Sequence, residues 1–369
     1  MSGVPLEVES IVKSKFKVND TFQLPDGEVE YRIQYEPSSK EKFEELCAEL
    51  EPKDLTPWLS GRGTDCTLQV RKRQQLKPSA SRIPVILALL TVGSVLVFGL
   101  VERQTFGQFA PGIPDYVVFI SYAACMVAIL AAHEFGHRYA SEKNGVPPPT
   151  PYFIPGIPVV TAFLPSLGII SLPRRPAVNR DALFDLSLAG PLAAFAVTVL
   201  LYIVSEFAAV QSAVPMLGAQ LQNAQIYNPS TIQFAIDSAF SSFVPGVTGG
   251  YLRLSPVADA ASVGFVLTFL SLLPISLFDG GQMAATVLGP RTARVATYLS
   301  MVALVTLDSP TYWVVAFLFI VIGARQANAQ VLDEVSGISP TKRALFLLMI
   351  VLAFLCVPIP QNLASFPLG

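Results

Sequence analysis

The chain has 369 residues, of which 52% are hydrophobic and 14% charged, with a formal net charge of −2. Soluble domains carry about a quarter charged residues, so this composition excludes an ordinary soluble globule and points to a polytopic membrane protein. The near-neutral balance provides no long-range field that would draw nucleic acid.

Residues 1–80 read as a small soluble α/β domain. Met1 to Asp20 is a mixed polar stretch without the marks of a cleavable signal, so either the protein inserts through its own first apolar helix or a targeting segment lies outside this sequence. Val29 to Tyr35 alternates like a strand, Ser39 to Leu50 carries an amphipathic helical pattern opened by Ser38 or Ser39, and Cys66 to Arg71 reads as another strand. Cys47 and Cys66 fall in this part, Cys125 and Cys356 in apolar segments, and no C-x-x-C pair is present. A domain on the reducing side of a membrane is expected to keep these thiols free.

Residues 83–358 read as a membrane-embedded domain. Apolar runs at Ile83–Val101, Tyr116–Tyr139, Ala182–Phe207 and Val257–Phe278 are each long enough to cross a bilayer. A hairpin at Val295–Leu307 and Thr311–Gly323 has its tip at Asp308-Ser309-Pro310, and its short arms either tilt across or re-enter. With a last run at Ala344–Val357, the expectation is an all-α bundle of about six to seven spanning helices. Basic residues cluster before the first run, between Arg138 and Arg180, around Arg291 and Arg294, at Arg325, and at Lys342 and Arg343. The loops Glu102–Asp115 and Ala208–Pro256 carry almost none, which places the N-terminus on the cytosolic or stromal side.

The chain's only two histidines, His133 and His137, stand four apart around Glu134 in H-E-F-G-H. On a helix this spacing puts both imidazoles on one face, within reach of one metal ion, with a carboxylate beside it. Ionisable side chains in an apolar run are costly and need a functional reason. A hydrolytic zinc ion takes three protein ligands and leaves one position for water. With no third histidine, the remaining ligand has to be a carboxylate or a thiolate. Asp279, in S-L-L-P-I-S-L-F-D-G-G-Q, is the candidate. It reads as the close of the fourth span, with Pro274 breaking that helix a turn earlier and Gly280 and Gly281 letting the backbone turn beside a metal. Glu134 would serve as general base.

Two further stretches stand out. Pro147 to Leu172 is apolar but rich in Pro and Gly, so it reads as a re-entrant loop or β-hairpin lining a cavity and able to pair with an extended substrate. Asn179, Arg180 and Asp181 open the third span with Asp181 as its expected cap, and Gly190-Pro191 is expected to allow close helix packing.

H-E-F-G-H at 133–137, P-Y-F-I-P at 151–155, F-L-P-S-L-G-I-I-S at 163–171, N-R-D-A-L-F-D-L-S-L-A-G-P-L-A at 179–193 and L-L-P-I-S-L-F-D-G-G-Q at 272–282 occur in that order. Across about residues 115–285 the chain resembles the site-2 protease family of intramembrane zinc metalloproteases. The likeness is strongest to the cyanobacterial and chloroplast branch that includes the ethylene-dependent gravitropism-deficient and yellow-green proteins. The resemblance implies one zinc ion held by His133, His137 and Asp279, catalysis by Glu134, and cleavage of membrane-anchored proteins within or near their spanning helix. The expected partners are such substrates and the lipid bilayer. The expected location is a chloroplast (thylakoid or envelope) or cyanobacterial membrane.

Ser271 stands where the family usually has Asn, and Phe278 where Leu is usual. Ser271, Gly280 and Gly281 are therefore the expected substrate-positioning residues, with a shorter reach at 271. Two readings compete. A non-proteolytic scaffold that kept the fold would not need Glu134. A secondary transporter would show inverted repeats and ionisable groups on several spans.

Overall fold

Backbone polar groups in a bilayer have to be satisfied within the chain, and the apolar runs of this sequence meet that demand with helices. The structure, a computed structural model, describes residues 6–24, 28–73, 81–109, 112–158, 160–161, 163–208, 210–212, 230–243, 252–307, 312–317 and 330–358. The fold is mostly helical, with a small sheet region ahead of the first apolar helix.

In the N-terminal part, α1 (Leu6–Lys15) and α2 (Ser39–Leu50) pack on one antiparallel sheet. Its strands are β1 (Val18–Gln23), β2 (Val29–Gln34), β3 (Leu55–Arg62) and β4 (Asp65–Lys72), in the order β1-β2-β4-β3. Alternation along β2 and β4 turns Tyr31, Ile33, Leu68 and Val70 inward against Phe43, Leu46 and Leu50 of α2. The polar stretch before Asp20 is thus partly helix α1, whose Val8 and Val12 are buried in the same core. Neither serine caps α2 through its side chain; Ser39 Oγ instead accepts from the Glu36 N–H at 2.8 Å. All four cysteines are free thiols. Burial pushes the Cys47 thiol up to about 12, which keeps it protonated and unreactive.

A later segment completes this core. Leu332 is buried in it, the Leu59 N–H donates to the Leu332 carbonyl at 2.8 Å, and the Glu334 N–H donates back to Leu59. The Leu332 N–H in turn donates to Ala177. Residues 331–334 therefore strap the exposed edge of β3 to the segment ahead of the third apolar helix.

Among the described residues, three helices are long and apolar enough to cross a membrane. They are α3 (Ile83–Phe109), α4 (Asp115–Lys143) and α5 (Arg180–Ala208). Their outward faces carry large apolar side chains such as Leu89, Val127 and Leu200, as helices facing lipid do. Further on come α6 (Thr231–Phe243), α7 (Pro256–Leu272), α8 (Asp279–Leu288), α9 (Pro290–Thr306) and α10 (Pro340–Cys356). The expected hairpin tip at Asp308-Ser309-Pro310 lies outside the described residues. Its second arm is described only over residues 312–317, which are helical.

The fourth apolar run, Val257–Phe278, is broken at Pro274 as expected, but Asp279 does not close it. Helix α7 ends at Leu272, residues 273–278 run irregularly, and Asp279 opens α8 rather than closing a span. Pro274 lacks an N–H to continue the ladder. The freed groups are re-satisfied locally: Thr297 Oγ1 donates to the Pro274 carbonyl at 2.9 Å, and the Phe278 N–H to Ile275 at 2.8 Å. Glu102, expected in the loop after the first span, lies within α3 and hydrogen-bonds Asp259 of α7.

The Pro/Gly-rich stretch forms an antiparallel pair, β5 (Thr150–Pro155) with β6 (Ser166–Leu172). Tyr152, Phe153 and Ile154 pack on the main core, and Ser94 of α3 donates to the Gly156 carbonyl at 2.7 Å, which pins the hairpin to the first span.

Phe43 is fully buried under the sheet. Phe43→Ala is expected to destabilise the N-terminal unit by about 3–5 kcal/mol, read from a lower urea midpoint in Trp58 fluorescence.

Candidate metal centre

Helix α4 carries a buried face into the bundle, and His133, Glu134 and His137 lie on it at 8% exposure or less. Asp279, the first residue of α8, is brought to them by the irregular segment after α7. His133 Nε2 lies 3.3 Å from Asp279 Oδ2, and His137 Nε2 lies 3.4 Å from Asp279 Oδ1. The two Nε2 atoms are 3.1 Å apart. Among the described residues this is the group of acidic, histidine or cysteine side chains close enough to hold a metal ion.

The spacing fits zinc. Ligands at about 2.0–2.1 Å in a tetrahedron stand about 3.3 Å from one another, which is the separation these atoms show. Two imidazoles and one carboxylate also leave a fourth position open, as hydrolytic sites require. His137 is aimed by its other nitrogen, since Nδ1 lies 2.8 Å from the Leu186 carbonyl. A ring that donates from Nδ1 to a carbonyl keeps the Nε2 lone pair for a metal.

That bond requires α5 to approach α4 closely, and two glycines allow it. A Cβ at Gly136 would overlap the Ala189 carbonyl, and one at Gly190 would overlap the His137 ring. Pro191, inside α5, removes the bond its own nitrogen would make to Ser187, loosening the turn from which Leu186 faces His137. The expectation that Gly190-Pro191 serves close packing therefore acquires specific partners.

Glu134 is held by Arg138, whose Nε donates to Oε1 at 2.8 Å. Its Oε2 is buried and has no hydrogen-bond partner. A small cavity of about 40 Å³ reaches His137 and Asp279 from Ser171 at the end of β6, past Val146 and Pro147.

Other expected residues take different places. Ser271 donates to the Thr268 carbonyl at 3.0 Å. A Cβ at Gly280 or Gly281 would strike the carbonyls of Leu272, Leu273 or Ile275, so both glycines let α8 fold back tightly on the end of α7. Asp181 does not cap α5. Asn179 does, its Oδ1 accepting from the Ala182 N–H at 2.9 Å, while Asp181 pairs with Lys40 and accepts from the Ser339 N–H. Asn is among the strongest N-cap residues, and it stands immediately before Arg180, two residues ahead of Asp181. Arg138 and Leu186 were not singled out from sequence. Arg138 was signalled by its i,i+4 spacing from Glu134; the Leu186 carbonyl had no sequence signal.

The description "Peptidase family M50" matches residues 121–307. The probable zinc metalloprotease EGY2, chloroplastic, of Arabidopsis thaliana is 24% identical over 307 residues, covering 78% of this chain and 51% of the relative. The probable zinc metalloprotease EGY1, chloroplastic, of the same plant is 25% identical over 308 residues, covering 77% and 54%. The probable zinc metalloprotease EGY3, chloroplastic, of Oryza sativa subsp. indica is 25% identical over 297 residues, covering 71% and 47%. The chain thus spans about half the length of the curated relatives it matches. No solved structure matches it.

Gly190→Ala is expected to push the His137 ring off its line and weaken zinc retention by about 10- to 100-fold, measured as metal content after dialysis against a graded chelator. Gly93→Ala on α3, where a Cβ meets nothing, is the matched control.

Proposed function

The chain belongs to peptidase family M50, and we propose that it is an intramembrane zinc metalloendopeptidase that cleaves membrane-anchored proteins within or near their spanning helix. The observation that carries this reading is the convergence of His133, His137 and Asp279 beside a glutamate whose second oxygen is buried and unpartnered. A structural metal site has no use for such an oxygen, which disfavours the scaffold reading.

In this proposal His133, His137 and Asp279 hold one zinc ion. Zinc, when bound, polarises the scissile carbonyl and makes a water acidic enough to attack near neutral pH. Glu134 Oε2 takes the proton from that water as its oxygen bonds to the carbonyl carbon. The same carboxyl then gives the proton to the departing amine nitrogen as the C–N bond breaks. Arg138 fixes the orientation of Glu134, and Leu186 that of His137. Strand β5 or β6 offers backbone groups to an unwound substrate segment by strand addition. Gly280 and Gly281 let α8 fold back on the end of α7, where Ser271 also stands, and the three position the substrate in this reading.

The broader arrangement belongs to the same proposal. Residues 1–80 form a soluble unit and 83–358 the membrane unit, with about six to seven spans and the N-terminus on the cytosolic or stromal side. The relatives are named as chloroplastic, which favours a chloroplast location.

Glu134→Ala is expected to retain stoichiometric zinc and to lose cleavage of a reporter membrane helix by about 10²- to 10⁴-fold. Unchanged cleavage would remove Glu134 from this role. Asp279→Ala is expected to lose zinc in the same metal assay, and full zinc content would send the third ligand elsewhere.

A further inference from the structure

We propose that the cleft between the N-terminal sheet and the end of α4 docks an acidic, extended segment of the substrate next to its membrane helix. This inference rests on the protease reading above. The cleft has a volume of about 660 Å³, well inside the range of built ligand sites. One wall is the β3–β4 surface with Trp58, and the other is Lys143–Pro147 with Arg174 and Arg175.

Its inner end leads to the metal centre. Val146 and Pro147 line both this cleft and the small cavity that reaches His137 and Asp279. A chain lying in the cleft therefore continues toward the reacting position, which a lipid headgroup would have no need to do.

The charges set the occupant's chemistry. Four of the acids that line the cleft are already paired: Glu28 with Arg71 at 3.0 Å, Glu51 with Arg73 at 2.5 Å, Asp181 with Lys40, and Asp185 with Lys342. Glu44 accepts from Asn179. Lys72, Lys143, Arg174 and Arg175 line the same space with no ion-pair partner among the described residues. Arg175 Nε is buried with nothing to bond, and burial and the nearby Arg73 push its pKa down against an opposing pull from Glu51 and Asp54. Guanidinium groups stay charged in proteins, so an incoming carboxylate is the means of relieving this crowding.

The test uses the full-length zinc-loaded protein in detergent, with fluorescent hexaglutamate and hexaglutamine peptides followed by anisotropy. Hexaglutamate is expected to bind more tightly, and more weakly as salt rises. Arg174→Ala/Arg175→Ala is expected to weaken it about 3- to 10-fold, and Arg174→Lys/Arg175→Lys to restore most of that. In parallel, reporter helices flanked by Glu or by Lys are compared. Wild type is expected to favour the Glu flank several-fold, and the double alanine variant to lose that ratio. Equal binding of the two peptides, or unaltered hexaglutamate binding by the double alanine variant with its zinc content and melting intact, overturns the proposal. A double variant that loses only its association with anionic-lipid vesicles also overturns it and assigns the charges to the membrane surface. If hexaglutamate binds as expected while no reporter is cleaved, the protease reading fails and the cleft stands.

Discussion

A carboxylate buried between two imidazoles is the contact around which this molecule is organised. Removing an unpaired carboxylate from water costs several kcal/mol, and Asp279 is 8% exposed with both oxygens turned to ring nitrogens. A divalent ion held there would turn three costly groups into a coordinated set. Most of the unusual backbone nearby serves to bring them together. Helix α7 stops at Leu272, Gly280 and Gly281 let α8 double back, and Gly136 and Gly190 admit the helix that orients His137. None of these choices favours a simple helical bundle, and each brings His133, His137 and Asp279 together or supports one of them.

Water has to reach such a centre through an apolar bundle, and the irregular elements supply the approach. The β5–β6 pair ends beside a small cavity that reaches His137 and Asp279. Irregular backbone at membrane depth persists only where protein or a cavity covers it, and here Ser94 of α3 and the core aromatics cover the hairpin. The strap of residues 331–334 adds a second tie, joining β3 to the segment before α5 by backbone bonds on both sides. Through that strap the N-terminal sheet has a fixed relation to the helix carrying Leu186.

Glu102 and Asp259 form another polar contact between helices, with Tyr122 nearby. Ionisable groups on more than one helix are a feature that a transporter would share. The transporter reading also called for inverted repeats, which the sequence does not display. His133, His137 and Asp279, by contrast, converge beside Glu134 at one place.

The sequence alone determined the helical class, the placement of the first three apolar helices and the H-E-x-x-H face. Those features depend on local period and composition: a four-residue spacing faces one way on any helix, and a long apolar run has few alternatives to a spanning helix. The strand at Val29 and the helix at Ser39 were legible for the same reason. Tertiary structure decided what local rules leave open. It made Asp279 the start of α8 instead of the end of a span, because a proline-broken turn could be re-satisfied by Thr297 from a distant helix. It gave Asn179 the cap and freed Asp181 for Lys40, a residue far away in sequence. It buried Leu332 under β3, and it selected one carbonyl, that of Leu186, to aim His137. Each of these depends on a partner brought close only when the chain has folded, and periodicity carries no record of such partners.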